Sequence, residues 1–158
     1  MKRIFTLLAI VCIALSLQAQ ERKTIWPKGK MPDAQPHQIA AMTDEAGTKG
    51  FKPDKHRIAY IEWFEAPANE KHNGGCMILI SGGAYESCCD VGLIKRWKEV
   101  FTDLGFQCVN FVYRTPRPVG LEVYQSAWED GQRAVRMVRS EAEKRGFNPE
   151  KIGTISMS

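Results

Sequence analysis

From Met77 onward the chain alternates two kinds of stretch, and this alternation restricts its fold more than any other feature. Met77-Ile-Leu-Ile80 is short and wholly apolar, the pattern of a strand buried on both faces. Val91 to Leu104 follows with Ile94, Trp97, Phe101 and Leu104 at three- and four-residue spacing and charged residues between them, which predicts an amphipathic helix. Its aromatic stripe is core rather than a ligand box. Asp90 is placed to cap the start, and Gly105 to close the end. Phe106 to Tyr113 is the next strand, and Tyr124 to Arg145 a long helix. The apolar stripe of that helix runs through Tyr124, Ala127, Trp128, Gly131, Ala134, Val135, Val138 and Ala142; Arg133, Arg136 and Arg139 lie on a solvated face. Gly146 ends it, Asn148-Pro149 turns the chain, and Ile152 to Ile155 forms a last apolar run. Strand, helix, strand, helix, strand predicts right-handed crossovers: an α/β class, with a mostly parallel sheet and helices on both faces.

The segments ahead of this core differ in kind. Residues 1–19 have the form of a secretory signal peptide: basic Lys2-Arg3, apolar Ile4 to Leu17, and small Ala19 for cleavage. The apolar run is shorter than the ~20 residues that span a bilayer, so export is expected rather than a membrane span. Ile10-Val11 ahead of Cys12 are too bulky for lipid attachment. Residues 20–56 are a polar lead-in rich in Pro, Gly and Lys, expected to run extended and to pack by a few side chains. The domain proper is expected over residues 57–158, with Arg57 to Phe64 as its first strand and Asn73-Gly74-Gly75 as a reversal.

The formal charge is +4, and two of those charges lie in the signal segment. No basic stripe with interleaved aromatics exists, so nucleic acid is not an expected partner. Cys76 and Cys108 sit in or beside predicted strands and read as small buried hydrophobes. Cys88-Cys89 lies in a loop and is a candidate for pairing with one of them in an exported chain. No Cys/His spacing suits a metal, and no cofactor motif is present.

Two features fall just after strands, where open α/β sheets place their sites. One is Ser81-Gly82-Gly83-Ala84 after the Met77 strand. Residues without a Cβ let backbone N–H groups approach a ligand oxygen closely. In acyl transfer, one fixed donor to the developing oxyanion is worth roughly 3–4 kcal/mol. A tight turn explains Gly-Gly alone equally well, and a phosphate loop lacks its spacing here. The other feature is Ser156-Met157-Ser158, a small-x-Ser turn after the Ile152 strand. A nucleophilic serine on a sharp strand-to-helix turn has this form.

Taken together, Cys76 to Ser158 resembles the N-terminal half of a bacterial α/β-hydrolase domain of the acetyl-xylan-esterase and feruloyl-esterase-like type. The resemblance is carried by Ile78-Leu-Ile-Ser-Gly-Gly-Ala-Tyr85, Phe111-Val-Tyr-Arg114, Asp130-Gly-Gln-Arg-Ala-Val-Arg136 and Asn148-Pro-Glu-Lys-Ile-Gly153. It implies that Ser158 is the nucleophile and that the backbone N–H groups of Gly83 and Ala84 are oxyanion donors. The chain departs from the family pattern at Ser81, where Pro or His is usual, at Ala84, where a third Gly is usual, and at Ser156, where Gly is usual.

In that family the acid and the histidine follow the serine in chain order. His37, His56 and His72 all precede Ser158, and none suits the base. The resemblance therefore implies an exported serine esterase, truncated at the nucleophile elbow, whose parent removes acetyl or feruloyl groups from polysaccharide. The 158-residue chain alone is expected to turn over little ester. A lipase- or peptidase-type hydrolase, and a non-catalytic protein on the same fold, are the alternatives.

Overall fold

The three apolar runs lie side by side. The computed structural model describes residues 21–27, 29–36, 38, 58–88 and 91–158. The signal segment, His37, His56, Cys89 and the Asp90 cap lie outside the described residues. Strands β1 (Glu21–Thr24), β2 (Tyr60–Trp63), β3 (Cys76–Ser81), β4 (Gln107–Val112) and β5 (Ile152–Met157) form one sheet in the order β1-β2-β4-β3-β5. Between them run helix α1 (Val91–Asp103), helix α2 (Gln125–Ser140) and the short α3 (Ala142–Arg145).

β3 pairs in parallel with β4 on one side and β5 on the other, as the alternation predicts. The expectation of a mostly parallel sheet needs correction, because β2 runs antiparallel to β4 and β1 antiparallel to β2. The sheet is mixed. Antiparallel pairs need no helical crossover, which is why this half is built from the lead-in and the Tyr60 strand.

Alternation along the strands sends side chains to opposite faces. Leu79 and Cys108 pack with Ile94, and Trp97 and Phe101 of α1 lie against them. Ile78, Val109 and Phe111 pack with Ala134 and Val138 of α2. The helices thus cover both faces. α1 ends at Gly105 (φ 87°), where the Gly105 N–H donates to Thr102 O and the Phe106 N–H to Phe101 O. A Cβ on Gly105 would meet Lys71 O at 1.9 Å, so glycine is required for packing as well as conformation. At Gly74 the predicted reversal forms with φ 77°, and Asn73 Oδ1 accepts the Gly75 N–H at 2.8 Å.

The long helix departs from expectation in two ways. It is interrupted at Glu141, so that α2 and α3 are separate segments. Its buried line is Ser126, Asp130, Ala134 and Val138, whereas Tyr124 and Trp128 are 55% and 62% exposed. The reason is an ion pair. Asp130 is fully buried and accepts from the Arg114 main-chain N–H (2.9 Å), from Arg114 Nε (2.9 Å) and Nη2 (2.6 Å), and from Trp26 Nε1 (2.7 Å). Arg114 is also fully buried and donates through Nη1 to the carbonyl of Pro32. A carboxylate with every acceptor site used can sit in the core. Bringing it there rotates Tyr124 and Trp128 outward.

The described start of the lead-in joins the sheet. Glu21-Arg-Lys-Thr24 forms β1, and Arg133 Nε donates to Ile25 O at 2.8 Å. Lys23 bonds Glu141 at 2.7 Å, and Arg145 bonds both Glu141 and Glu21. The hydrogen bond from Lys23, with help from Arg145, lowers the Glu21 carboxyl to about 2. Burial opposes ionisation of Glu141, but the bonds from Lys23 and Arg145 outweigh it and hold its pKa below the usual carboxylate range.

Two outcomes follow from these contacts. Asp130→Ala strands the buried Arg114 guanidinium and is expected to cost about 3–5 kcal/mol in urea unfolding, with Arg114→Met/Asp130→Leu closer to the parent. Because Glu21 and Glu141 titrate lower when folded, their contribution is present above about 4.5 and is lost as pH falls through their folded pKa values, which for Glu21 is about 2. The thermal midpoint should therefore fall between pH 5 and pH 3, as roughly set by those values, and fall less in Glu21→Gln/Glu141→Gln. Equal acid sensitivity of the two proteins would contradict this.

Candidate active site

The last residues of β3 and β5 stand level. Ser81 is in register with Met157, and Ile80 with Ser156. Ser156 and Met157 are therefore strand, not turn, a correction to the expected small-x-Ser turn; pairing with the full length of β3 carries the strand two residues further. Ser158 comes one residue beyond the last pair, Ser81 with Met157, as Gly82 does on the other side. Paired strands are about 4.8 Å apart. The serine and the glycine turn are thus brought together by register, and both line a cleft of about 1020 Å³. Ser158 is exposed there.

The glycine turn is closed by its own backbone. Gly83 O accepts the N–H groups of Glu86 and Ser87, both at 3.0 Å. To do so the chain takes positive φ at Gly83 (149°), Ala84 (52°) and Tyr85 (64°). Two consecutive non-glycine residues in the left-handed region carry strain of the order of 1–3 kcal/mol each. Such strain persists where surrounding contacts hold it. Here the Arg117 N–H donates to Tyr85 O (3.0 Å), Arg117 Nε to Glu86 Oε1 (3.0 Å), and the Tyr113 hydroxyl to Ser87 O (3.4 Å). The Tyr85 and Tyr113 rings pack at 5.9 Å. A Cβ on Gly83 would meet Ser87 O at 2.0 Å. Among the described residues no acceptor takes the main-chain N–H of Gly83 or Ala84.

His72 precedes β3, so it lies at the amino end of the parallel strands and Ser158 at the carboxyl end, about 17 Å away along the strand. Its Nδ1 accepts the Gly74 N–H at 2.9 Å, so its role there is to hold a turn. Cys76, Cys88 and Cys108 are free buried thiols, so Cys88 makes no bridge to either strand cysteine. Burial pushes the Cys76 thiol up to about 12, leaving it a buried hydrophobe. Cys88 meets Ser81 instead, Sγ to Oγ at 3.1 Å, a contact that gives no local signal in sequence. Among the described residues no cluster of three His, Cys, Asp or Glu side chains could hold a metal, and no helix is long and apolar enough to cross a membrane.

The cleft is walled by Ile78 and Ile80 of the sheet and by Trp128 and Val135 of α2. Tyr85, Tyr124 and Trp128 line it together with the glycine turn and Ser158. It is a largely apolar site with the Ser158 hydroxyl at one end, beside two N–H donors that are unengaged among the described residues.

No protein-family model and no curated protein sequence matches the chain. Solved structures do. A thermophilic esterase of the planctomycete Thermogutta terrifontis is 22% identical with a TM-score of 0.53, covering 68% of this chain and 38% of its own. The same esterase with propionate bound gives 22% and 0.53, over 68% of this chain and 39% of its own. Esterase 2 of that organism phosphorylated by paraoxon gives 20% and 0.52, over 66% and 40%. The likeness is one of fold, consistent with the α/β-hydrolase fold, and the chain spans about two fifths of those proteins' length.

Gly83→Ala is expected to lose about 1–3 kcal/mol in denaturant unfolding, because both its φ and its contact with Ser87 exclude a side chain. Gly146→Ala, where a Cβ meets nothing within 4 Å, should cost less despite its positive φ. A reversed order would contradict the turn geometry.

Proposed function

We propose that this chain carries the nucleophile and part of the oxyanion hole of a serine carboxylic-ester hydrolase. The observation that supports it is the meeting of Ser158 with the Gly83–Ala84 turn at the carboxyl ends of adjacent parallel strands, in one cleft. In this reading Ser158 Oγ attacks the ester carbonyl carbon. The carbonyl oxygen becomes an oxyanion and accepts from the N–H groups of Gly83 and Ala84. The alcohol departs on collapse of the tetrahedral species, and water then hydrolyses the acyl-enzyme.

A serine hydroxyl needs a base to act at neutral pH. No described histidine is placed to serve. Because the chain spans about two fifths of the esterases it resembles in fold, the reading takes the histidine and its acid from elsewhere in the whole protein. The exposed faces of Tyr124 and Trp128 suit a ring in the ester, since aromatic side chains give apolar area with a polar handle. Together with the signal-like residues 1–19, this favours an exported enzyme acting on acetyl or feruloyl esters of polysaccharide.

In the whole protein, hydrolysis of 4-nitrophenyl acetate should depend on Ser158. Ser158→Ala should lower kcat/KM by at least about 10³-fold while leaving the thermal midpoint within a few degrees. Turnover that survives the substitution would refute the assignment. Cleavage of acetylated xylan tests the substrate class separately.

A further inference from the structure

The eight residues from Ser81 to Cys88 leave the sheet and return to nearly the same point. Ser81 is the last residue of β3 and 5% exposed; Cys88 is 4% exposed and belongs to the core on the α2 face. Their side chains meet at 3.1 Å, and Cys88 Sγ also lies 3.7 Å from the Ser81 carbonyl oxygen. In one arrangement the Cys88 thiol donates to Ser81 O while the Ser81 hydroxyl donates to Cys88 Sγ. The contact closes the neck of the turn that presents Gly83 and Ala84.

That turn needs a closed neck. Ala84 and Tyr85 sit in the left-handed region without being glycine, so the turn favours relaxing. The bonds from Glu86 and Ser87 to Gly83 O oppose this within the turn, and Arg117 and Tyr113 oppose it from outside. The Ser81–Cys88 contact anchors both ends to the core.

We infer that Cys88, through Ser81, is a positioning residue for the Gly83 and Ala84 N–H donors. It touches no substrate, and the inference rests on the serine-hydrolase reading above. Oxyanion donors act at 2.7–3.1 Å, roughly, so a small opening of the neck weakens the transition state more than the bound ester.

The test uses the whole protein with Cys88→Ala, Cys88→Ser and Ser81→Ala, normalised by active-site titration. Cys88→Ala should lower kcat for 4-nitrophenyl acetate about tenfold, leave KM within about twofold, and weaken a trifluoromethyl ketone inhibitor by the same factor as kcat. Cys88→Ser, whose hydroxyl can still meet Ser81, should recover most of the loss, and Ser81→Ala should reproduce it. Faster amide exchange at Glu86 and Ser87 in Cys88→Ala is expected as well. Unchanged kcat and unchanged exchange in Cys88→Ala and Ser81→Ala would overturn the inference, as would a rise in KM that accounts for all the loss. If the parent protein shows no Ser158-dependent turnover, the hydrolase reading falls instead, and amide exchange alone decides whether Cys88 holds the turn.

Discussion

The buried pair of Arg114 and Asp130 is the contact on which most of the molecule depends. Arg114 leaves the carboxyl end of β4, and Asp130 sits in the middle of α2. Their bonds fix how the helix lies on the sheet. Arg114 also holds Pro32, and Asp130 holds Trp26, so the lead-in is tied to the same point. Removing either partner would leave a charge in the core without water, which costs far more than the pair contributes by itself. The pair also orients α2 with Asp130 inward, and this turns Tyr124 and Trp128 toward the cleft. The shape of the candidate site is thus a consequence of an ion pair that lies outside it.

The site depends on register as much as on residue type. Parallel pairing of β5 on β3 sets Ser158 beside the start of the glycine turn. A slip of one residue would send Ser158 to the other face of the sheet. Strain at Ala84 and Tyr85 and the neck at Ser81–Cys88 then decide where the free N–H groups point. Rigid strands supply position, and a strained, pinned turn supplies direction.

The parallel half of the fold was legible because each element announces itself locally. Met77 to Ile80 is apolar without interruption, and the stripe of α1 follows its 3.6-residue period. β1 was not legible, because Glu-Arg-Lys-Thr has no apolar alternation and gains its place from pairing with β2 and from charged partners at Glu141 and on α3. The stripe of α2 packs as expected at Ala134 and Val138 but not at Tyr124 and Trp128, because the buried face is centred on an aspartate whose partner lies 16 residues earlier. No local pattern reports such a pairing. Of the candidate site, Gly83 and Ser158 could be picked out by type and position. The left-handed Tyr85 and the Ser81–Cys88 contact could not, since neither residue type implies that geometry.

In the proposed mechanism Ser158 and the N–H groups of Gly83 and Ala84 act on the same carbonyl. A crystal structure of the whole protein with a boronic acid inhibitor tests it directly. The expected result is a tetrahedral boronate on Ser158 Oγ, with one boronate oxygen about 2.7–3.1 Å from both backbone nitrogens. A boronate bound elsewhere, or one on Ser158 whose oxygens all point away from Gly83 and Ala84, would contradict it.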